Sequence, residues 1–165
     1  MKNIVLKTAS AIILIAALFV FSAFEEKAEV SYKCMIQMMN YTGEKAYVVV
    51  SLINPEGMYE KTLYVQGDDK EWFPDLKKWW IFSDNAKENL DAISGATIGN
   101  GERNIISLGF NSEQINAGYK IRFESAVENQ EYYPQDAEIE LNTATIKNKV
   151  GGTGYIRYIR MVPNR

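Results

Sequence analysis

Ala46-Tyr-Val-Val-Val-Ser-Leu-Ile53 is apolar or β-branched at almost every position, and Asn54-Pro-Glu-Gly57 follows it. Eight such residues bounded by a turn signal read as a β-strand covered on both faces. Pro55 presets φ and Gly57 permits positive φ, so the chain reverses there. Tyr59 to Gln66 then supplies the returning strand. Upstream, Val30 to Met39 reads as a first strand with mixed faces, joined through the Gly43 turn.

Downstream the period is two. In Tyr119–Glu128, Tyr119, Ile121, Phe123 and Val127 point one way, and Lys120, Arg122, Glu124 and Glu128 the other. Ala137, Ile139 and Leu141 alternate in the same manner against Asp136, Glu138 and Glu140. Asn104 to Phe110 and Tyr155 to Val162 complete the set, the last after Gly151-Gly-Thr-Gly154. Seven or so short strands with turns between them predict an all-β fold, an immunoglobulin-like antiparallel β-sandwich. One short helix interrupts it within Lys70–Asn85. There Leu76, Trp79 and Trp80 fall at i, i+3 and i+4, and Pro74 suits a first turn. Helical spacing of aromatics predicts a hydrophobic plug at one end of the sandwich.

The N-terminus has another character. Lys2 and Lys7 precede Ala9–Phe24, which carries no charge, and Glu25-Glu-Lys27 follows. A basic start and a short apolar run predict a signal peptide over residues 1–24, cut near Ala23 or Phe24, with an uncleaved membrane anchor as the alternative. Residues 25–165 are then a single immunoglobulin-like domain working in the periplasm or its equivalent. The net charge of −3 and the scatter of basic residues exclude nucleic acid as a partner. Cys34 is the only cysteine, so no internal disulfide forms. Histidine is absent, which removes imidazole acid–base chemistry and His metal sites.

Three groups of residues invite chemistry. Cys34, Met35, Met38 and Met39 have the softness Cu(I) prefers. Alternation along a strand divides them between two faces, and core packing explains them as well. Glu124, Glu128, Glu131, Asp136, Glu138 and Glu140 form an acidic run, read as a solvated face. The third group, Asp91-Ala-Ile-Ser-Gly-Ala-Thr97, is the most specific. It is a tight turn that presents the Thr97 hydroxyl, with Gly95 allowing the bend. Ser94 shapes the turn, Ala96 keeps the approach unobstructed, and Gly99 and Gly101 let the segment open without breaking a strand.

Asp-x-x-Ser-Gly-Ala-Thr resembles the site at which ApbE-type flavin transferases attach FMN through its phosphate. That likeness implies covalent FMN on Thr97, with Asp91 helping the loop dock or orienting the phosphate during transfer. Gly99 stands where such proteins usually carry a second small hydroxyl residue. More broadly, Leu63–Leu76, the Trp79-Trp80 pair, Asp91–Thr97 and Gly154–Met161 resemble a family of predicted periplasmic proteins of unknown function. The family is similar to the immunoglobulin-like domain of the flagellar hook-cap protein. It implies partnership with a flavin transferase and a PepSY-type membrane reductase. The implied function is extracytoplasmic electron transfer by a redox carrier rather than a stand-alone enzyme. Trp79 and Trp80 are the rings that could stack on the flavin. The other expectation is a cofactor-free binding or accessory module.

Overall fold

The computed structural model describes residues 28–164. The signal peptide expected over residues 1–24 lies outside them. Nine strands run β1 Glu29–Met38, β2 Tyr47–Ile53, β3 Tyr59–Gln66, β4 Ser94–Gly95, β5 Arg103–Asn111, β6 Lys120–Ala126, β7 Tyr132–Glu140, β8 Val150–Gly151 and β9 Ile156–Pro163. A 3-10 turn, Lys70–Asp75, leads into the helix α1, Lys77–Ala86. The strands form two sheets, ordered β5-β1-β9-β8 and β4-β3-β2-β6-β7. This is the expected sandwich with its one short α-helix. It departs from an all-antiparallel pattern at β4, which pairs parallel to β3.

Side chains from both sheets meet in the main core. Cys34, Ile36 and Met38 of β1 face Val48, Val50 and Leu52 of β2, with Ile121 and Phe123 of β6 alongside. β2 is buried at all seven positions because its sheet is covered twice. Its other face carries Tyr47 and Val49, which pack with Val65, Phe73, Leu76, Trp79, Leu90 and Ala126. The aromatic segment is therefore a third layer over the five-stranded sheet, and the plug expected at one end of the sandwich is not where it sits.

That third layer overturns the reading of the acidic run as a solvated face. Glu131 and Glu140 are exposed, but Glu124 and Asp136 are 0% and 1% exposed. Glu124 points outward as its alternation requires, yet outward here means under the helix. Tyr59 Oη donates to its carboxylate at 2.6 Å, and Tyr132 Oη donates to the other oxygen. Tyr132 in turn accepts the Lys78 N–H at 3.1 Å, which ties helix to sheet. Burial pushes the Glu124 carboxyl up from its ordinary range, while the two phenol bonds pull it back. Burial and the neighbouring carboxylate push both phenols up.

Asp136 is buried for a different reason. The β6–β7 register slips between Phe123–Ala137 and Ser125–Tyr133, so Pro134, Gln135 and Asp136 bulge opposite Glu124. A bulge re-aims side chains. Asp136 turns to accept the N–H groups of Thr153, Gly154 and Ile156 at 2.9, 2.7 and 2.9 Å, and the Ser125 hydroxyl. It thereby fastens the approach to β9 in one sheet to β7 in the other.

Candidate functional site

The candidate site is the stretch between β3 and β5. β3 is followed by Gly67, whose φ of +148° and crowding favour glycine: a Cβ there would lie 2.1 Å from the Tyr47 ring. Asp69 caps the 3-10 turn by accepting the Glu71 N–H at 3.1 Å. Helix α1 then lays Trp79 into the outer layer, and its Nε1 donates to Thr62 Oγ1 at 2.8 Å. Thr62 is also held by the Glu88 carboxylate just past the helix. A left-handed residue, Lys87, ends the helix and sends the chain back toward β3.

The Asp91–Thr97 segment is not a free turn. The Val65 N–H donates to Ile93 O at 2.8 Å and the Gly67 N–H to Gly95 O, so Ser94-Gly95 is an edge strand on β3. One step beyond Thr97, Ile98 exchanges backbone bonds of 2.8 and 3.1 Å with Ala46. The expectation that the segment opens without breaking a strand is therefore corrected: opening it breaks pairing on both sides of Thr97. Gly99 does not loosen it, since its N–H donates to Glu102 Oε2 at 2.7 Å. Gly95 has a structural reason of its own, because a Cβ would meet Tyr64 Oη at 2.2 Å. Ser94 Oγ donates to Leu90 O at 2.7 Å and shapes the approach.

The structure distributes the site residues over two clefts. Thr97, half-buried and with no hydrogen-bond partner among the described residues, lines an open cleft of about 280 Å³ with Glu44, Lys45, Tyr47, Trp72 and Glu128. Asp91 lines another, of about 250 Å³, with Lys70, Phe73 and Trp80. There its carboxylate pairs with Lys70 at 2.9 Å. Ala96 is exposed beside Thr97. Of the two tryptophans named from the sequence, Trp79 is fully buried and offers no ring face to a ligand. Trp80 is partly exposed, but in the Asp91 cleft. The aromatics that share a cleft with Thr97 are Tyr47 and Trp72, and Trp72 lies within the Leu63–Leu76 run that carries the family resemblance. The signal that could have found it is its place in the 3-10 turn directly after β3, the strand on which the motif docks.

The field around Thr97 is acidic. The Tyr47 hydroxyl is pushed up by burial and then by Asp69, Asp68, Glu128 and Asp75. Lys45 is the cation in that cleft. Elsewhere, Cys34 is buried in the main core, and burial pushes its thiol up to about 12, far from the thiolate that binds metal. Met38 shares its face, whereas Met39 is exposed, so the soft group is divided. Among the described residues no cluster of three or more His, Cys, Asp or Glu side chains could hold a metal ion.

Neither curated proteins nor solved structures yield a match to this chain. Residues 29–158, nearly the whole sandwich including the helix and the Asp91–Thr97 segment, match the family described as "Predicted periplasmic protein (DUF2271)". The chain therefore belongs to the DUF2271 family, periplasmic proteins whose function is unknown.

Proposed function

We propose that this protein is a periplasmic redox carrier, an immunoglobulin-like domain with FMN joined to Thr97, exchanging electrons with a PepSY-type membrane reductase. One observation carries the reading. The last hydroxyl of Asp91-x-x-Ser94-Gly95-Ala96-Thr97 lines an open cleft, unpaired, beside Trp72 and Lys45. The cleft volume of about 280 Å³ lies just under the roughly 300–1,000 Å³ of ordinary ligand pockets. It suits part of a tethered group better than a freely bound one. A covalent link makes deep enclosure unnecessary, and it prevents loss of the group outside the cell.

The residues divide the work as follows. Thr97 supplies the attachment oxygen. Lys45 faces the phosphate charge, Trp72 offers an aromatic face, and Ser94 and Gly95 hold the backbone on β3. Asp91, paired with Lys70 on the neighbouring surface, is available to a docking transferase. When bound, the flavin supplies the electron-carrying chemistry. In attachment the Thr97 oxygen forms the new O–P bond and its proton passes to a base of the transferase. The pyrophosphate bond of a flavin dinucleotide donor breaks and a nucleoside monophosphate leaves.

The test is co-expression with a flavin transferase, followed by denaturing electrophoresis scanned for flavin fluorescence and by intact mass. Wild type should give a fluorescent band with the mass of one FMN ester, and Thr97→Ala should give neither. An unmodified wild type, with the transferase active on a known substrate, sinks the proposal. It would leave the cofactor-free accessory module, which the pinning of the segment at Gly95 and Ile98 also suits.

A further inference from the structure

Among the described residues nothing forms a layer over the outward face of the four-stranded sheet, and its chemistry is unlike the rest of an acidic protein. Cross-strand register places Ile105, Met35 and Arg160 in one row, and Ser107, Lys33 and Val162 in the next. Arg103, Gln37 and Tyr158 form a third. Lys149 lies 4.1 Å from the Tyr158 ring centroid. Lys147 joins Lys33, Val162 and Pro163 around an open cleft of about 520 Å³. Ile105 is 60% exposed and Val162 41%, each with polar residues two positions away on either side, Arg103 and Ser107 for the first and Arg160 and Asn164 for the second.

The ion pairs among the described residues, Lys70–Asp91, Lys120–Glu138 and Arg122–Glu138, all lie elsewhere. Among the described residues no carboxylate pairs with Lys33, Lys147, Lys149 or Arg160. Glu29 closes one end of the face, and Glu102 at the opposite corner directs its carboxylate to the Gly99 N–H. The result is a sheet surface, basic and apolar by turns, on a chain of net charge −3.

We propose that this face docks on an anionic phospholipid surface. Apolar side chains between cations suit the headgroup boundary, where the first enter and the second pair with phosphate. The interleaving of apolar side chains with cations favours a fluid layer of mobile charges over a protein partner with fixed ones. The sequence adds proximity. Only Glu25–Ala28 separate the uncharged run Ala9–Phe24 from β1, an inner strand of this sheet. At ~3.5 Å per residue the face begins within about 18 Å of that run. The proposal does not depend on the flavin reading.

Vesicle co-sedimentation of the full chain tests it, with vesicles of phosphatidylcholine alone and of phosphatidylcholine with phosphatidylglycerol. If the apolar run is retained, it contributes equally to both, so the ratio of the two partition coefficients is the readout. At low salt the ratio should exceed about ten, since each basic residue near an anionic surface contributes about five-fold. It should collapse in Lys33→Glu/Arg160→Glu. It should survive in Lys61→Glu/Lys77→Glu, which makes the same charge change away from this face. A ratio near one in wild type overturns the proposal, as does one that both double variants lower equally. A ratio near one together with salt-sensitive retention on polyglutamate would assign the face to an acidic protein instead.

Discussion

The two sheets share one core but finish their outer faces in opposite ways. The five-stranded sheet is roofed by Phe73, Leu76 and Trp79, and it buries a carboxylate, Glu124, between two tyrosines. The outer face of the four-stranded sheet is bare among the described residues, with Ile105 and Val162 in solvent among cations. The difference shows how little strand alternation says about solvent. "Outward" means wet on one sheet and dry on the other, and only the chain between β3 and β4 decides which.

The sharpest way to break this comparison is to remove matching apolar groups from each face. Trp79→Ala should destabilise the fold by roughly 3–5 kcal/mol, because it empties a large buried volume and leaves Thr62 Oγ1 without its indole donor. Ile105→Ala, half in water already, should stay within about 0.5 kcal/mol. Denaturant titration of both variants checks the pair, and similar losses would show that the bare face is not bare.

A subtler test uses the buried acid. The folded state holds the Glu124 proton more tightly than an unfolded chain, whose carboxyl sits near 4.5. The stability this group contributes is complete below that value and is lost as pH rises through the raised one. Glu124→Gln removes the titration. Wild type should therefore lose stability relative to the variant as pH climbs above about 4.5. Parallel profiles of denaturation midpoint would mean that the roof admits water.

The smallest expected effect is at Thr97. It is half-buried and has no bonded partner among the described residues, so Thr97→Ala should leave stability within about 0.5 kcal/mol. A larger loss would make it part of the roof's framework rather than a residue on display.

Much of the sandwich was legible because its signals are local. Tyr59–Gln66 is a strand with the bounds its pattern gives, and Asn54–Gly57 closes through the Gly57 N–H to Asn54 O bond. The uniform burial of β2 was also readable, and it already implied a second cover on that sheet. What escaped were partners distant in sequence. Ser94-Gly95 is a strand only because β3 has a free edge, which no property of Ser or Gly announces. Glu124 reads as exposed until Tyr59, 65 residues earlier, is known to bond it. Asp136 is inward because of a bulge whose cause is pairing, not composition. At the candidate site the motif named Thr97 and its neighbours, but its split from Asp91 and its nearness to Trp72 belong to tertiary structure.

The strand order has one more consequence, for self-association. A sheet grows where an edge offers unpaired backbone to a second chain. β7 carries Pro134 in its bulge, where it cannot donate. β4 and β8 are two residues long and cover only Val65–Gln66 of β3 and Tyr158–Ile159 of β9. Among the described residues β5 is a long edge strand without proline: nine residues, Arg103 to Asn111, at the end of its sheet. In a crowded compartment, strand addition between copies has that border to use, and Arg103 with its exposed charge stands at the start of it.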